Sequence, residues 1–142
     1  MVFMILTKTT EYAVRVLIFM ANQDRELFTA KYIHEQLNIP YKYLTRLMTR
    51  LAKSDEGLLV SIQGRDGGFK ITNKLNEITL ARIIETVEGM DSFNTCILGF
   101  SECSDDNPCA LHFVWEKHKA SFLKTLRTTT LEDLKNTGVM KF

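Results

Sequence analysis

Between Thr29 and Thr72 the chain sets out its elements in an order that few folds can accept. Thr29 is placed to cap a helix running to about Leu37, with Ala30, Ile33 and Leu37 on one face. Asn38–Ile39–Pro40 is a tight connection, and its proline sits where the first turn of a new helix tolerates one. That next helix extends from about Tyr41 to Lys53. Leu44, Leu47, Met48 and Leu51 form its apolar stripe, and Lys42, Arg46, Arg50 and Lys53 occupy the other faces. A β-type run, Leu58–Gln63, then meets Gly64–Arg65–Asp66–Gly67–Gly68, a turn whose glycines permit positive φ, and Phe69–Thr72 returns as the second strand. An earlier helix, Lys8 to Gln23, carries Tyr12, Ala13, Val16, Leu17 and Met20 at spacings of three and four. Helix, helix, tight turn, basic helix and hairpin together predict a winged helix-turn-helix, mainly α with a small β-wing.

Charge is distributed to match. The chain is nearly neutral overall at +1, but residues 1–80 carry 11 Lys+Arg against 8 Asp+Glu, and residues 81–142 carry 7 against 9. The basic side chains concentrate between Pro40 and Lys53, where no acid intervenes. A charge run on one helix is ordinarily a solvated face; its position after a tight turn and before a Gly-rich basic hairpin makes it a nucleic-acid contact. In such a fold the second helix of the pair enters the major groove. Tyr41, Lys42, Thr45 and Arg46 are then the candidate base readers, and Arg46 suits a bidentate contact to guanine. Arg50 and Lys53 fall further along, where phosphates are met, and Gln63 and Arg65 at the wing tip reach the adjacent minor groove. The expected partner is double-stranded DNA.

The second half has a different task. A fourth helix, about Thr79 to Glu88, leads into residues 89–108, a polar loop long enough to suggest a function of its own. From Pro108 a long helix is expected to run to about Arg127. Leu111, Val114, Trp115, His118, Phe122 and Leu126 trace a seam along it, larger than the preceding domain needs, which reads as the interface of a homodimer. Thr130 and Asp133 open a short last helix. The division expected is 1–80 for the DNA-binding domain and 81–142 for the loop and the dimerisation helices.

The loop and the start of that helix hold all three cysteines, Cys96, Cys103 and Cys109, with His112 close behind. An odd number of thiols does not close a disulfide framework. Neither the apolar start Val2–Leu6 nor the run Tyr12–Ala21 reaches the length of a membrane span, and no secretory pattern precedes them. The expectation is a cytoplasmic chain with no membrane contact and reduced thiols. Unconnected buried thiols would lie scattered on apolar faces, whereas these punctuate a polar loop. Cys96-x6-Cys103-x5-Cys109-x2-His112 suits either a Cys3His zinc site or an iron–sulfur cluster, and spacing alone does not separate the two. No nucleophile–base pair or phosphate loop is visible, so an enzyme is not expected. Two rival classes remain: a winged-helix regulator with structural zinc or a thiol-oxidation switch and no cluster, and an adaptor that uses the same fold for protein contacts.

Leu6–Thr7–Lys8–Thr9–Thr10–Glu11–Tyr12–Ala13–Val14–Arg15, Ile39–Pro40–Tyr41–Lys42–Tyr43–Leu44 and Gly64–Arg65–Asp66–Gly67–Gly68–Phe69 resemble the IscR/NsrR family of bacterial Rrf-type regulators, and the resemblance extends over essentially the whole chain. It implies a homodimeric winged-helix transcription factor whose operator affinity is set by a two-iron or four-iron cluster sensing nitric oxide, oxygen or iron–sulfur status. Cys96, Cys103 and Cys109 match the family's cluster cysteines. The resemblance implies two candidates for the fourth ligand: His112, as in IscR-like members, or Glu11 of the partner subunit, as in NsrR-like ones. Two departures stand out. The first cysteine gap is six residues where five is common, and Thr45 stands where IscR-like proteins carry a glutamate.

Overall fold

The computed structural model describes residues 6–53 and 57–142, so the apolar start Val2–Leu6 lies, but for Leu6, outside the described residues. Helix α1 (Lys8–Ala21) begins at Thr7, whose hydroxyl accepts the Thr10 N–H. It ends two residues before the expected Gln23, because the Asn22 side-chain amide turns back to the Ile18 carbonyl at 2.9 Å. Thr29 caps α2 (Ala30–Leu37), and Asn38 closes it in the left-handed conformation at φ 54°. His34 Nδ1 lies 2.6 Å from the Ile39 carbonyl oxygen and so fastens the connection into α3 (Tyr41–Lys53). Leu44, Leu47, Met48 and Leu51 all face inward, as their spacing predicts.

The wing is an antiparallel hairpin of β1 (Leu59–Ile62) and β2 (Gly68–Ile71), with Leu59 opposite Ile71 and Ile62 opposite Gly68. A third piece of backbone joins it from the α1–α2 connection. Phe28 and Phe69 exchange two hydrogen bonds, at 2.9 and 2.7 Å. That approach explains Gly68, and the tightness of the hairpin turn explains Gly67. A Cβ on Gly68 would stand 2.6 Å from the Phe28 carbonyl oxygen, and one on Gly67 would stand 2.1 Å from that of Ile62.

Thr79 caps α4 (Leu80–Val87), and a full capping box between Thr130 and Asp133 opens α6 (Leu131–Asn136). Between them lies α5 (His112–Thr128), which starts four residues later than the expected Pro108. Pro108 to Leu111 form a turn instead, closed by the His112 N–H on the Cys109 carbonyl at 3.1 Å. Cys109 therefore stands before the helix and does not share a helical face with His112.

One core spans the chain. Ala13, Val16 and Leu17 of α1 pack with Ile33, Leu44, Met48 and Leu58, and Ile83, Val87 and Leu131 complete the same cluster. Residues on both sides of position 80 thus share it. The winged helix and the last helix are buried against each other through α1 and the 3-10 turn Leu75–Glu77.

The seam on α5 divides. Leu126 is 3% exposed within the single chain, Phe122 packs its ring 5.9 Å from Phe93, and Trp115 donates its Nε1–H to the Thr95 carbonyl at 3.4 Å. Leu126 is thus covered within the single chain, whereas Trp115 and Phe122 are half-buried and keep part of their surface open. Leu111, Phe113 and Val114 remain exposed at the start of the helix, His118 is exposed further along it, and Ile97, Leu98 and Phe100 are exposed in the loop.

Candidate metal centre and nucleic-acid interface

Residues 89–111 follow α4 as a chain of tight turns: a 3-10 turn at Asp91–Asn94, a turn closed by Gly99 N–H on the Cys96 carbonyl, and a second closed by Ser104 and Asn107 on each other. These turns converge the three thiols. Among the described residues they form a group whose sulfurs all lie within 4.8 Å of one another, with Cys96 and Cys109 at 3.6 Å. Each is half-buried, as a site that binds from solution and then shields its occupant requires. His112 is buried and sets its Nδ1 3.2 Å from Cys103 Sγ. Its other nitrogen, Nε2, lies 2.8 Å from Asp105 Oδ1. All four ligand candidates of the loop are thus in one place. The partner-donated alternative, Glu11, is on the exposed side of α1 and pairs with Lys8 at 3.3 Å.

The thiols are electrostatically unequal. Desolvation raises Cys96, but hydrogen bonds from the Phe100 and Leu98 backbone and from Cys109 and Cys103 outweigh it and bring it down to about 7. A Cys109 backbone hydrogen bond lowers Cys103, yet desolvation and the thiols of Cys96 and Cys109 outweigh that and hold it above the ordinary thiol value. Neutral pH therefore leaves Cys96 the ready thiolate, and a cation is needed to ionise Cys103 beside it.

Soft thiolates with an imidazole suit zinc or an iron–sulfur cluster equally well by donor type. The spacing is that of two thiolates on one metal. With sulfur about 2.3 Å from zinc, a tetrahedral site places two thiolates about 3.8 Å apart, close to the 3.6 Å between Cys96 and Cys109. Two thiolates on one iron of a cluster stand at a similar separation, so this pair does not distinguish the two occupants. A pocket of about 20 Å³ lies among Cys96, Cys103, Cys109 and His112, and a wider one of about 440 Å³ opens against Cys96 and Cys103 from the side of Gly99 and Phe100. The loop that carries the thiols is exposed and contains Gly99 in the left-handed region at φ 82°.

The basic surface is where the sequence put it. Tyr41, Lys42, Arg46 and Lys53 are exposed on α3, Thr45 is half-buried beside them, and Gln63 and Arg65 are exposed at the wing. Arg46 leans along its own helix, with Nε 3.4 Å from the Lys42 carbonyl, and needs only a rotamer change to extend. Arg50 is exposed as well, and it also holds a neighbouring helix. Its Nη1 donates to the Val87 carbonyl at 2.8 Å, so the guanidinium is tied to the last turn of α4. Next to it, Glu88 accepts from the Thr7 hydroxyl at 2.6 and 2.7 Å and also from that of buried Thr10. Thr9 in turn accepts from the Tyr43 hydroxyl at 2.6 Å. The last turn of α4, from which the thiol loop departs, is fastened both to the recognition helix and to the start of α1.

Sequence reasoning missed Asp105, Glu88 and the tie of Arg50 to Val87. Asp105 is one of three acids in the loop between residues 102 and 106, and nothing in its spacing marks it. Glu88 meets residues 78 and 81 positions away, beyond any local pattern.

Comparison with known proteins identifies the family. The family model for Rrf2, described as an iron-dependent transcriptional regulator, matches residues 6–137. The HTH-type transcriptional regulator NsrR of Oceanobacillus iheyensis is 36% identical over 131 residues, covering 91% of this chain and 88% of that protein. Among solved structures, CymR of B. subtilis, titled its global cysteine regulator, superposes with a TM-score of 0.76 at 26% identity, covering 95% of this chain and 98% of the other. The IscR of T. potens shares the fold at a TM-score of 0.73 and 24% identity, covering 98% and 93%. These relatives are regulators and not enzymes, and the adaptor reading falls with them. No described helix is long and apolar enough to cross a membrane. A winged helix with basic side chains exposed on the second helix of its helix-turn-helix, a group of three converging thiols and a family match over residues 6–137 place this chain in the Rrf2 family of DNA-binding transcriptional regulators.

Proposed function

We propose that this regulator's affinity for its operator is controlled by an iron–sulfur cluster held by Cys96, Cys103, Cys109 and His112. The observation that carries the reading is the convergence of three thiols and an imidazole on a loop that leaves directly from the α4 turn tied to α3. When bound, the cluster supplies an iron centre that nitric oxide, oxygen or iron shortage can destroy or remove. The chain's own part is mechanical. Holding four ligands apart fixes residues 96–112 and, through residues 89–95, the last turn of α4. Val87 then sets Arg50 and with it α3, and Glu88 sets the start of α1.

In a homodimer, two recognition helices about 34 Å apart meet successive major grooves. The exposed apolar residues Leu111, Phe113 and Val114 are the natural contact between copies. A small change in α3 is then repeated in both half-sites, and a hundredfold effect on affinity needs only about 2.7 kcal/mol of coupling. The expected compartment is the cytoplasm, where the thiols stay reduced.

A second reading, structural zinc, is compatible with the same donors and the 3.6 Å thiol pair. Anaerobic purification with a visible spectrum and iron, sulfide and zinc analysis separates them. A brown protein with iron and acid-labile sulfide, lost in Cys103→Ala without loss of fold, supports the cluster. A colourless protein with stoichiometric zinc overturns it in favour of the second reading.

A further inference from the structure

Resting on the reading that a metal group occupies the thiol cage, we propose that Asp105 is a positioning residue that turns His112 Nδ1 into the cage and makes it the fourth ligand. The contact is specific. Asp105 Oδ1 stands 2.8 Å from Nε2 and Cys103 Sγ 3.2 Å from Nδ1, so the two ring nitrogens face different partners. A carboxylate accepts from Nε2–H, and in the neutral ring that tautomer leaves the Nδ1 lone pair toward the Cys103 sulfur. Carboxylate–histidine pairs of this kind fix ring orientation and raise ligand basicity at metal centres.

Asp105 is presented by a built turn. Ser104 and Asn107 exchange backbone hydrogen bonds at 3.2 and 3.1 Å across it, and Asn107 Nδ2 donates to the Glu102 carbonyl at 3.2 Å. The histidine is held equally well, with its side chain 8% exposed and the Phe113 ring packed edge-on at 5.0 Å. Asp105 itself is 87% exposed, so its hydrogen bond competes with water. Its contribution is therefore orientation of a buried ring more than binding energy, which favours the lower end of the about 10- to 100-fold loss in metal affinity typical of such partners.

The test uses the full chain labelled with 15N-histidine, reconstituted anaerobically with iron and sulfide and reduced for pulsed EPR. Wild type should show one strongly coupled histidine nitrogen, lost in His112→Ala. Asp105→Ala should keep the fold, weaken or split that coupling, raise the midpoint potential and lose iron to a chelator about tenfold faster. Asp105→Glu should recover part of each change, and Asp106→Ala should change none. Iron and sulfide content report the underlying reading separately. If the chain takes only zinc, the same question is read from imidazole nitrogen shifts by NMR on the zinc-loaded protein, with Nδ1 metal-bound in wild type. A loaded wild type with no coordinated histidine overturns the proposal, as does an Asp105→Ala variant identical to wild type in coupling, potential and chelator release.

Discussion

Arg50→Ala distinguishes a residue that touches DNA from one that transmits the state of the thiol cage. If Arg50 were a phosphate contact, its removal would weaken DNA binding equally with and without the metal group, and the slope of log K against log salt would fall by about 0.9. The structure gives it a different partner, the Val87 carbonyl at 2.8 Å. Hydrogen bonds to charged groups are worth about 1.5–3 kcal/mol, and a partly solvated one is discounted to about 1 kcal/mol. That is about a fivefold change in an equilibrium. A hundredfold ratio between loaded and unloaded affinities should therefore fall to about twentyfold in Arg50→Ala, with the salt slope nearly unchanged. Lys53→Ala, on the same helix without such a tie, should leave the ratio intact and lower the slope. The assay is fluorescence anisotropy on DNA recovered by genomic selection, at four salt concentrations, with loaded and metal-free protein. An unchanged ratio together with a slope reduced by about 0.9 would refute the coupling role and return Arg50 to the phosphate contacts.

Other perturbations probe the remaining links. Glu88→Ala leaves the Thr10 hydroxyl buried without its carboxylate acceptor and should cost about 1–3 kcal/mol in urea unfolding; Glu88→Gln, which still accepts one hydrogen bond, should cost less, and a loss equal to that of the alanine variant would assign the effect to the charge and not to the accepted bond. Leu126→Ala should destabilise the single chain by about 2–5 kcal/mol, because that side chain is already buried within it. Val114→Asp should instead leave the fold intact and shift sedimentation toward a monomer; unfolding would show that Val114 belongs to the core. In metal-free, reduced protein, Cys96 should be alkylated first. With its thiol at about 7, about half is thiolate at pH 7, against about 3% for an ordinary thiol near 8.5. The rate should fall as pH drops through 7, and mass spectrometry showing Cys103 modified first would contradict the assignment.

What the sequence disclosed about the fold was local. Thr29, Pro40, the stripe Leu44–Leu47–Met48–Leu51 and the glycines of the wing each act within a turn or two, so spacing alone located α2, α3 and the hairpin. The start of α5 escaped because Pro108 is permitted in a first helical turn and equally in the tight turn that precedes one. Periodicity also overstated the free face of α5. A seam at helical spacing shows which residues are apolar on one face, not what covers them, and Leu126 is buried within the chain while Trp115 and Phe122 are half-buried beside the loop.

The candidate site was legible in its ligands and hidden in its connections. Thiols close in sequence are chemically conspicuous in any context, and so were found. Thr7–Glu88, Arg50–Val87 and Asp105–His112 join residues whose types are ordinary and whose separations are set by the tertiary fold. The last of these pairs is only seven residues long and still left no pattern, because a turn and not a helix brings it together. For a regulator this division has a physical basis. Binding a metal demands particular donor atoms, whereas transmitting its presence demands only that two elements share a contact whose strength depends on position. Ordinary hydrogen bonds between a helix end and its neighbours meet that demand at about 1 kcal/mol each. Two or three of them in each protomer suffice for the coupling that switching requires.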